Sequence, residues 1–476
     1  MLDRFKHLLH RTHHRERFVL LDELLHNQTL SKEQLLIRQQ QALSEIIRHA
    51  YNNTPYYHEK YSKFVDNHAR ELILVNLLDL NPLRLPLDRG REEFAPPLSR
   101  GGWEGFATNT QSELITNSLP ILQKDEVVRH KDEMLQRGVD LRTLRIGNTG
   151  GSTGKPVSFY YDRHKHELMR AGMIRSYMWC GWKPGQKILN FWGARQDIQH
   201  GNQLINKYHE YISAEKTIAA YEYSESQLDD WTKIILACKP VLLQGYASIL
   251  AELSGYIIAN NIRMPKTILG IYSTAEMLND WQRTLMERAF GCRVFNQYGS
   301  REIPNIACEC SHGNQHIFTD MVYLESQSIN GEDRLIITSL SNRLMPFIRY
   351  DIGDSGKLKE GDCACGSPFP LMELGLCRSN DLIKTSTGKS IHPSCFNRLL
   401  YGQTDIKQYQ YIQTELDKIT LNIVSTSKLE IETVNSLKES LHRDIDENML
   451  LEINYVDEIK RSISGKHRYV ISNLNY

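Results

Sequence analysis

No run of apolar residues in this chain approaches the roughly eighteen needed to cross a bilayer, so no membrane span is expected. Net charge is also missing: 57 Lys and Arg stand against 57 Asp and Glu in 476 residues. That balance removes the electrostatic reason to expect nucleic acid or an acidic membrane as the main partner. The N-terminus lacks the apolar centre of a secretion signal. Met1 to Arg17 is instead basic and histidine-rich around Leu2, Phe5, Leu8 and Leu9. A packed or frayed first helix is the favoured reading, with contact to a membrane surface as the rival. Nine cysteines without a secretion signal argue for a reducing, cytoplasmic setting, where clustered cysteines more often bind metal than form disulfides. Internal repeats and low-complexity tracts are absent too. What remains is an ordinary globular composition, 41% hydrophobic and 24% charged, long enough for two or three units with a large core.

The densest chemistry lies in Gly147-Asn148-Thr149-Gly150-Gly151-Ser152-Thr153-Gly154-Lys155-Pro156. Glycine lets a backbone approach an anion closely and reach positive φ. Turned N–H groups then form an anion-binding concavity, to which the hydroxyls and Lys155 add donors and charge. A phosphate-rich ligand fits this stretch better than a plain surface turn does. It is not a Walker loop, which requires a hydroxyl after the lysine where this chain has Pro156.

Elsewhere the pattern organises the chain. Ser31-Lys32-Glu33-Gln34 fits a capping box, and Leu36, Leu43, Ile47 and Ala50 then recur at helical spacing. Tyr56-Tyr57, after a proline, should end that element. A polar, Pro/Gly-rich passage runs from about Asp88 to Ser118 and is either a loop over a substrate entrance or an incidental insertion. From Leu119, apolar runs such as Ile188–Trp192, Val241–Leu243 and Ile268–Ile271 alternate with helical stretches, which predicts an α/β arrangement with substantial parallel sheet. Several runs lead straight into chemistry-bearing segments, as expected if ligands sit at strand C-terminal ends. Beyond Arg378, alternating runs (Gln408–Gln413, Ile419–Val424) and a helical stretch near Ser436–Arg443 suffice for a small α+β domain.

After the glycine-rich stretch come, in order, Gln297-Tyr298-Gly299-Ser300-Arg301-Glu302, then Ile348-Arg349-Tyr350-Asp351-Ile352-Gly353-Asp354, Arg378-Ser379-Asn380-Asp381 and Ser464-Gly465-Lys466. From about Tyr56 onward the series resembles the adenylate-forming, acyl-CoA synthetase-like superfamily. Within it the resemblance is to the phenylacetate–CoA ligase branch and its capsular-polysaccharide-biosynthesis relatives. It implies a large ATP- and acid-binding domain over residues 1–377, helical over about 1–85. A small mobile C-terminal domain would span 378–476.

The resemblance also implies roles. Thr149, Gly150, Ser152, Thr153, Gly154 and Lys155 would hold the β- and γ-phosphates of ATP. Tyr298-Gly299-Ser300-Arg301-Glu302 matches the Tyr-Gly-x-Thr-Glu signature with serine for threonine. There Gln297, Tyr298 and Gly299 would face the nucleotide and Ser300 would donate to the α-phosphate. Glu302, a hard oxygen ligand, would take Mg²⁺. Ile271-Tyr272-Ser273-Thr274-Ala275-Glu276 resembles the segment whose small residue and glutamate flank adenine. Gln244-Gly245-Tyr246-Ala247-Ser248 resembles the segment near the acyl pocket. Asp354 would accept from the ribose hydroxyls, with Arg378 close by, preceded by Cys377 where the family has glycine. Asn380 stands at the hinge, usually an aspartate, and a cap or turn role is equally open to it. Lys466 matches the mobile lysine that stabilises charge between carboxylate and α-phosphate.

A separate signal comes from cysteine and histidine. Cys308 and Cys310 lie near His312 and His316, and Cys363-Ala364-Cys365-Gly366 forms a second tight pair. Zinc prefers four tetrahedral sulfur or nitrogen ligands, and some relatives in the branch carry a structural zinc here. The expected set is Cys310, His316, Cys363 and Cys365, with Cys308 as the alternate. The expected partners are therefore ATP, Mg²⁺, a small carboxylic acid, coenzyme A and structural Zn²⁺, with a homodimer left open. The expected reaction is acid activation through an acyl-adenylate followed by transfer to coenzyme A. The rivals are adenylyl transfer to a hydroxyl acceptor, an acyl-activating step of surface polysaccharide synthesis, and a non-catalytic ATP-binding scaffold.

Overall fold

A computed structural model describes residues 2–65, 119–149, 157–193, 208, 210–329, 332–375, 383–391, 393–400, 406–425, 427–459 and 469–474. The chain opens with helices α1 (Leu2–His13), α2 (Arg15–Asn27), α3 (Lys32–Asn53) and α4 (Pro55–Val65). The Ser31 capping box is present: its hydroxyl accepts from Gln34 N–H, and Gln34 returns a bond to Ser31 N–H. The buried face of α3 is Leu35, Gln39, Leu43, Ile46, Ile47 and Ala50. Leu36 stands one residue off this stripe and is exposed. Pro55 ends α3 but also starts α4, because a proline needs no N–H at the first helical position. Tyr56 and Tyr57 are therefore buried helical residues.

A short helix, α5 (Lys124–Arg129), leads to the hairpin of β1 (Arg145–Asn148) and β2 (Ser158–Tyr161), then to α6 (Arg163–Trp179). Next come β3 (Ile188–Trp192), β4 (Glu215–Ala219), β5 (Glu222–Tyr223), α7 (Glu225–Cys238), β6 (Leu242–Tyr246), α8 (Ala247–Ala259), β7 (Gly270–Thr274), α9 (Asp280–Phe290) and β8 (Arg293–Tyr298). Strands β4, β3, β6, β7 and β8 are adjacent and parallel. The sheet continues antiparallel through β9 (Ala307–Glu309), β10 (Gln315–Ile317), β14 (Leu371–Leu374), β13 (Tyr350–Lys359), β12 (Glu332–Ser339) and β11 (Val322–Ile329).

The near-continuous apolar runs of the parallel strands follow from burial on both faces. Leu242, Tyr272 and Phe295 pack into one core with Ala171, Ile174 and Tyr177 of α6. Their chain neighbours Leu243, Ile271 and Val294 pack into another with α7, α8 and α9. The run at Ile268–Ile271 is shorter as a strand than its hydrophobicity suggests: Leu269 is exposed and β7 begins at Gly270.

The C-terminal part has its own core. It holds β15 (Ile383–Lys384), β16 (Ser390–Ile391), α10 (Pro393–Leu399), β17 (Ile406–Glu415), β18 (Lys418–Ser425), α11 (Ile431–Asp444), β19 (Leu450–Tyr455) and β20 (Val470–Ser472). Strand β16 pairs with β5 of the large part, and Lys384–Glu252 and Lys389–Glu222 ion pairs flank that ladder. The boundary expected at 377/378 and the passage from Asp88 to Ser118 lie outside the described residues. Among the described residues, no helix is long and apolar enough to cross a membrane.

The first two helices are packed down rather than free. Helix α2 lies along α6, and α1 buries Lys6 and His10. Arg17 donates from Nε to Glu167 Oε2 (2.8 Å) and lies 3.1 Å from His10 Nε2 through Nη1. A guanidinium only donates, so Nε2 accepts and the neutral ring carries its proton on Nδ1. Burial first, and then the Arg17 charge, pushes the His10 pKa down to about 3. The folded chain therefore binds this proton less readily than the unfolded one, whose value lies near 6.5. Its contribution to stability is complete above about pH 6.5 and falls as the pH drops toward 3. Between pH 7 and 5 the His10 share should amount to about 1–2 kcal/mol. Urea unfolding at the two pH values should show it, and His10→Gln should remove that share; an unchanged pH dependence in the variant would contradict this account.

Candidate active site

The parallel strands end along one edge, and β8 delivers the richest segment there. After Tyr298 the chain turns tightly: Ser300 N–H donates to Ile303 O and Ile303 N–H to Ser300 Oγ, both at 3.0 Å. Gly299 is required by close packing. A Cβ on it would lie 2.9 Å from Gln297 Nε2 and 3.0 Å from Asn305 N. Gln297 is held by Thr274 Oγ1 at the end of β7 (2.5 Å) and donates to Tyr298 O (2.9 Å).

This turn is fixed from three directions. Tyr298 OH donates to Asp354 Oδ2 (3.1 Å). Tyr350 OH donates to Glu302 Oε1 (3.1 Å), and Glu302 is only 4% exposed. Lys165 Nζ, from the first turn of α6, donates to the backbone carbonyl of Glu302 (2.5 Å). Burial, only partly offset by the negative charges of Glu302 and Asp162, lowers the Lys165 pKa to about 8. A fourth tie runs to the hairpin, where Arg301 Nη1 donates to Asn148 O (3.2 Å).

Tyr350 and Asp354 are aimed by a strained segment. Arg349 sits at φ 49°, a left-handed conformation rare for a large side chain. It is held there by a buried ion pair to both oxygens of Glu325 and by its N–H to Thr338 Oγ1. Both oxygens of Asp351 accept from Arg334 Nη2, Oδ1 also accepts Gly353 N–H, and Gly353 turns at φ 90° just before Asp354. A second strained residue, Ala275 at φ 67°, precedes Glu276. The Glu276 carboxylate accepts Ser248 N–H in the first turn of α8 (2.9 Å). Such strain of about 1–3 kcal/mol per residue persists only where the surroundings hold it, and it gathers at functional sites.

The neck of the glycine-rich loop is closed by Thr149. Its N–H donates to Val157 O and its Oγ1 accepts Val157 N–H, both at 2.9 Å. Gly150, Ser152, Thr153, Gly154, Lys155, Arg378, Asn380 and Lys466 lie outside the described residues. Thr149, Gln297, Tyr298, Gly299, Ser300, Glu302 and Asp354 are brought together, with Glu276 on the neighbouring strand end. The sequence reading missed Tyr350 and Lys165. Tyr350 stood inside a quoted motif valued only for Asp354, whereas Lys165 carried no signal in a helix start full of basic residues.

The cysteine–histidine cluster lies at the antiparallel part of the sheet, with His316 on β10, Cys310 just after β9 and Cys363 and Cys365 ahead of β14. The donor atoms of Cys310, His316, Cys363 and Cys365 all lie within 4.8 Å of one another. Cys310 Sγ is 3.6 Å from Cys363 Sγ, and His316 Nε2 is 3.3 Å from Cys365 Sγ. Ligands about 2.3 Å from a tetrahedral zinc would stand roughly 3.8 Å apart. His316 Nδ1 donates to Phe369 O (2.8 Å), the arrangement that presents the other nitrogen to a metal. Backbone N–H groups of His312 and Ser367 point at Cys310 and Cys365 sulfurs. The donor set and its outer bonds fit zinc. Cys308 is not part of it: its buried thiol lies by its own strand neighbour, Glu309 O. The cluster is packed onto α6, where Trp179 meets His316 edge-on at 5.5 Å. One turn earlier on α6, buried Arg175 makes a bidentate bond to Asp320 and lies 4.0 Å from the Phe318 ring centroid.

Known proteins resemble this chain in sequence and in fold. Residues 383–473 match the family model described as the CapK C-terminal domain. The chain is 26% identical over 364 residues to Protein CapK of Staphylococcus aureus, covering 75% of this chain and 80% of that one. It is 22% identical over 369 residues to a phenylacetate-coenzyme A ligase of Thermus thermophilus, covering 69% and 80%. Among solved folds, 2-hydroxyisobutyryl-CoA ligase in complex with 2-HIB-AMP and CoA superposes with a TM-score of 0.56 at 14% identity, covering 93% of this chain and 89% of that one. The same ligase in its postadenylation state gives 0.53, covering 94% and 91%.

Tyr350→Phe removes the one hydroxyl shown bonding the buried Glu302 carboxylate. Leaving such a group short of a partner should cost about 1–3 kcal/mol. Chemical denaturation should show that loss, and a variant as stable as the parent would mean the contact contributes nothing.

Proposed function

We propose that this chain, homologous to CapK and to the phenylacetate–CoA ligases and folded as an adenylate-forming enzyme, activates a carboxylic acid with ATP and passes the acyl group to coenzyme A. The observation that carries the proposal is the meeting of Glu302, Asp354, Tyr298 and the neck of the glycine-rich loop at the ends of parallel strands. In the first step a carboxylate oxygen attacks the α-phosphorus, the bond to pyrophosphate breaks, and an acyl-adenylate forms. In the second, a thiolate attacks the acyl carbon and AMP leaves.

Each residue has a task in that scheme. The backbone and hydroxyls of the glycine-rich loop, with Lys155, hold the β- and γ-phosphates. Asp354, already bonded to Tyr298 OH, accepts from the ribose hydroxyls. Ser300 donates to the α-phosphate. Glu302 would hold Mg²⁺, which supplies charge neutralisation beside the phosphates. Arg378 adds charge near ribose, and Lys466 from the C-terminal domain stabilises the charge that develops as the carboxylate attacks. Asn380 serves as the hinge. The chemistry is chiefly positioning and preorganised charge. Cys310, His316, Cys363 and Cys365 bind a structural Zn²⁺, since four protein ligands leave no open position for a substrate.

The test is pyrophosphate release from Mg·ATP across aryl, fatty, hydroxy and amino acids, with and without coenzyme A. Acid-dependent release is expected, increased by coenzyme A for the acid that fits. Release that needs no acid but requires a hydroxyl compound, with AMP retained on the product, would establish adenylyl transfer instead. Lys466→Ala should lower acid-dependent release by about 100-fold or more, the scale for losing a charge-stabilising donor; full activity would overturn its role. Metal analysis of the purified protein should find one zinc per chain. Cys363→Ser should lose that zinc and several degrees of Tm, whereas a zinc-free parent of equal stability would contradict the structural site.

A further inference from the structure

Lys165 is a buried lysine that the scheme above does not use. It is the third residue of α6, whose N-terminus is capped by Asp162 Oδ1 accepting Lys165 N–H (2.8 Å). Its side chain leaves solvent entirely for the space between the hairpin and the turn after β8, and the residue is 3% exposed. There Nζ donates to Glu302 O and lies 5.3 Å from the centroid of the Phe159 ring on β2. Phe159 packs against Gly147 on the facing strand so closely that a Cβ there would lie 2.3 Å from the ring. One ammonium thus bridges the strand pair that carries the phosphate loop and the turn that carries the carboxylate. A buried ammonium is costly unless it is bonded, and a leucine or methionine would fill the same space between Phe159 and the turn. The feature specific to lysine is the donor aimed at the Glu302 carbonyl.

We propose that Lys165 is the positioning residue that sets the Glu302 carboxylate for the nucleotide's divalent cation, by fixing the backbone of its turn rather than by touching substrate. The inference rests on the reading of Glu302 as the ligand of the nucleotide's divalent cation. Backbone and carboxylate of Glu302 are held by different elements: the carbonyl by Lys165 from α6, the carboxylate by Tyr350 from β13. With the carbonyl released, the Glu302 peptide loses its tie to α6, while Tyr350, Tyr298–Asp354 and Arg301–Asn148 hold only side chains and the turn's flanks. The sign of the effect separates position from charge. If Lys165 acted only as a cation beside Glu302, removing it would tighten a dication there, by relief of repulsion. If it acts by position, removal weakens the dication.

The probe is Mn²⁺·ATP binding followed by water-proton relaxation, set against metal-free ATP in chelator followed by calorimetry. The wild type should bind Mn²⁺·ATP more tightly than metal-free ATP. Lys165→Met should weaken Mn²⁺·ATP by about 5–10-fold, the net scale of one ordinary lost hydrogen bond. Its binding of metal-free ATP should stay near wild type, and Lys165→Arg, which keeps donor and charge, should retain most of the Mn²⁺·ATP affinity. In a Glu302→Gln background, Lys165→Met should add little, because both act through one carboxylate. Should Lys165→Met fail to fold, Lys165→Gln, too short to reach the carbonyl, takes its place in the same measurements. Unchanged or tighter Mn²⁺·ATP binding, full additivity with Glu302→Gln, or equal losses with and without metal would each overturn the inference. A wild type that binds no ATP under either condition would overturn the nucleotide reading of the site, and this inference with it.

Discussion

Everything at the site hangs on the turn at residues 298–303, and on its being held by elements far apart in the chain. Its carbonyl is bonded by Lys165 from α6, its carboxylate by Tyr350 and its tyrosine by Asp354, both from β13. A turn with a glycine, a serine and two charged residues has little stability of its own; backbone order alone costs about 1–2 kcal/mol per residue. Its conformation is set by neighbours that are themselves rigid. Helix α6 lies across one core, and β13 is threaded into the antiparallel half of the large sheet.

That rigidity comes from how the sheet is buried. The parallel strands place alternate residues in two cores, so none can slide by one residue without exchanging apolar faces. Helix α6 then links three features on one cylinder. Lys165 in its first turn meets the Glu302 carbonyl, Arg175 makes a nearly solvent-free ion pair with Asp320, and Trp179 at its end meets His316 of the cysteine–histidine cluster. Breaking a buried pair such as Arg175–Asp320 on one side generally costs about 3–5 kcal/mol, because the remaining charge stays buried. The cysteine–histidine cluster is thus well placed to stiffen the far end of the helix whose near end holds the turn at 298–303.

The sequence made the local decisions legible. The capping box at Ser31, the apolar runs at Ile188 and Leu242 and the two-by-two spacing of metal donors are written in adjacent residues, and each stands in the structure. The motifs around Tyr298, Glu302 and Asp354 stood out because each places several chemistry-bearing residues within a few positions. What could not be read was contact across the chain. Lys165 meets Glu302 across 137 positions, and no local pattern marks a lysine for that. Leu36 failed for a related reason: periodicity gives a helix's apolar face only to within one residue, and the neighbouring Leu35 supplied the buried position. The positive φ at Arg349 and Ala275 was equally hidden, since strain is imposed by the surroundings.

The central claim is that a carboxylate attacks the α-phosphorus at this site, and the fate of one oxygen atom tests it directly. The accepted acid, labelled with ¹⁸O in its carboxyl group, is turned over with ATP and coenzyme A, and the released AMP is analysed by mass spectrometry. Passage through an acyl-adenylate leaves one carboxyl oxygen on phosphorus, so AMP carrying a single ¹⁸O is the predicted result. AMP free of label would mean that the acid never bonded to the α-phosphate, and would contradict the account.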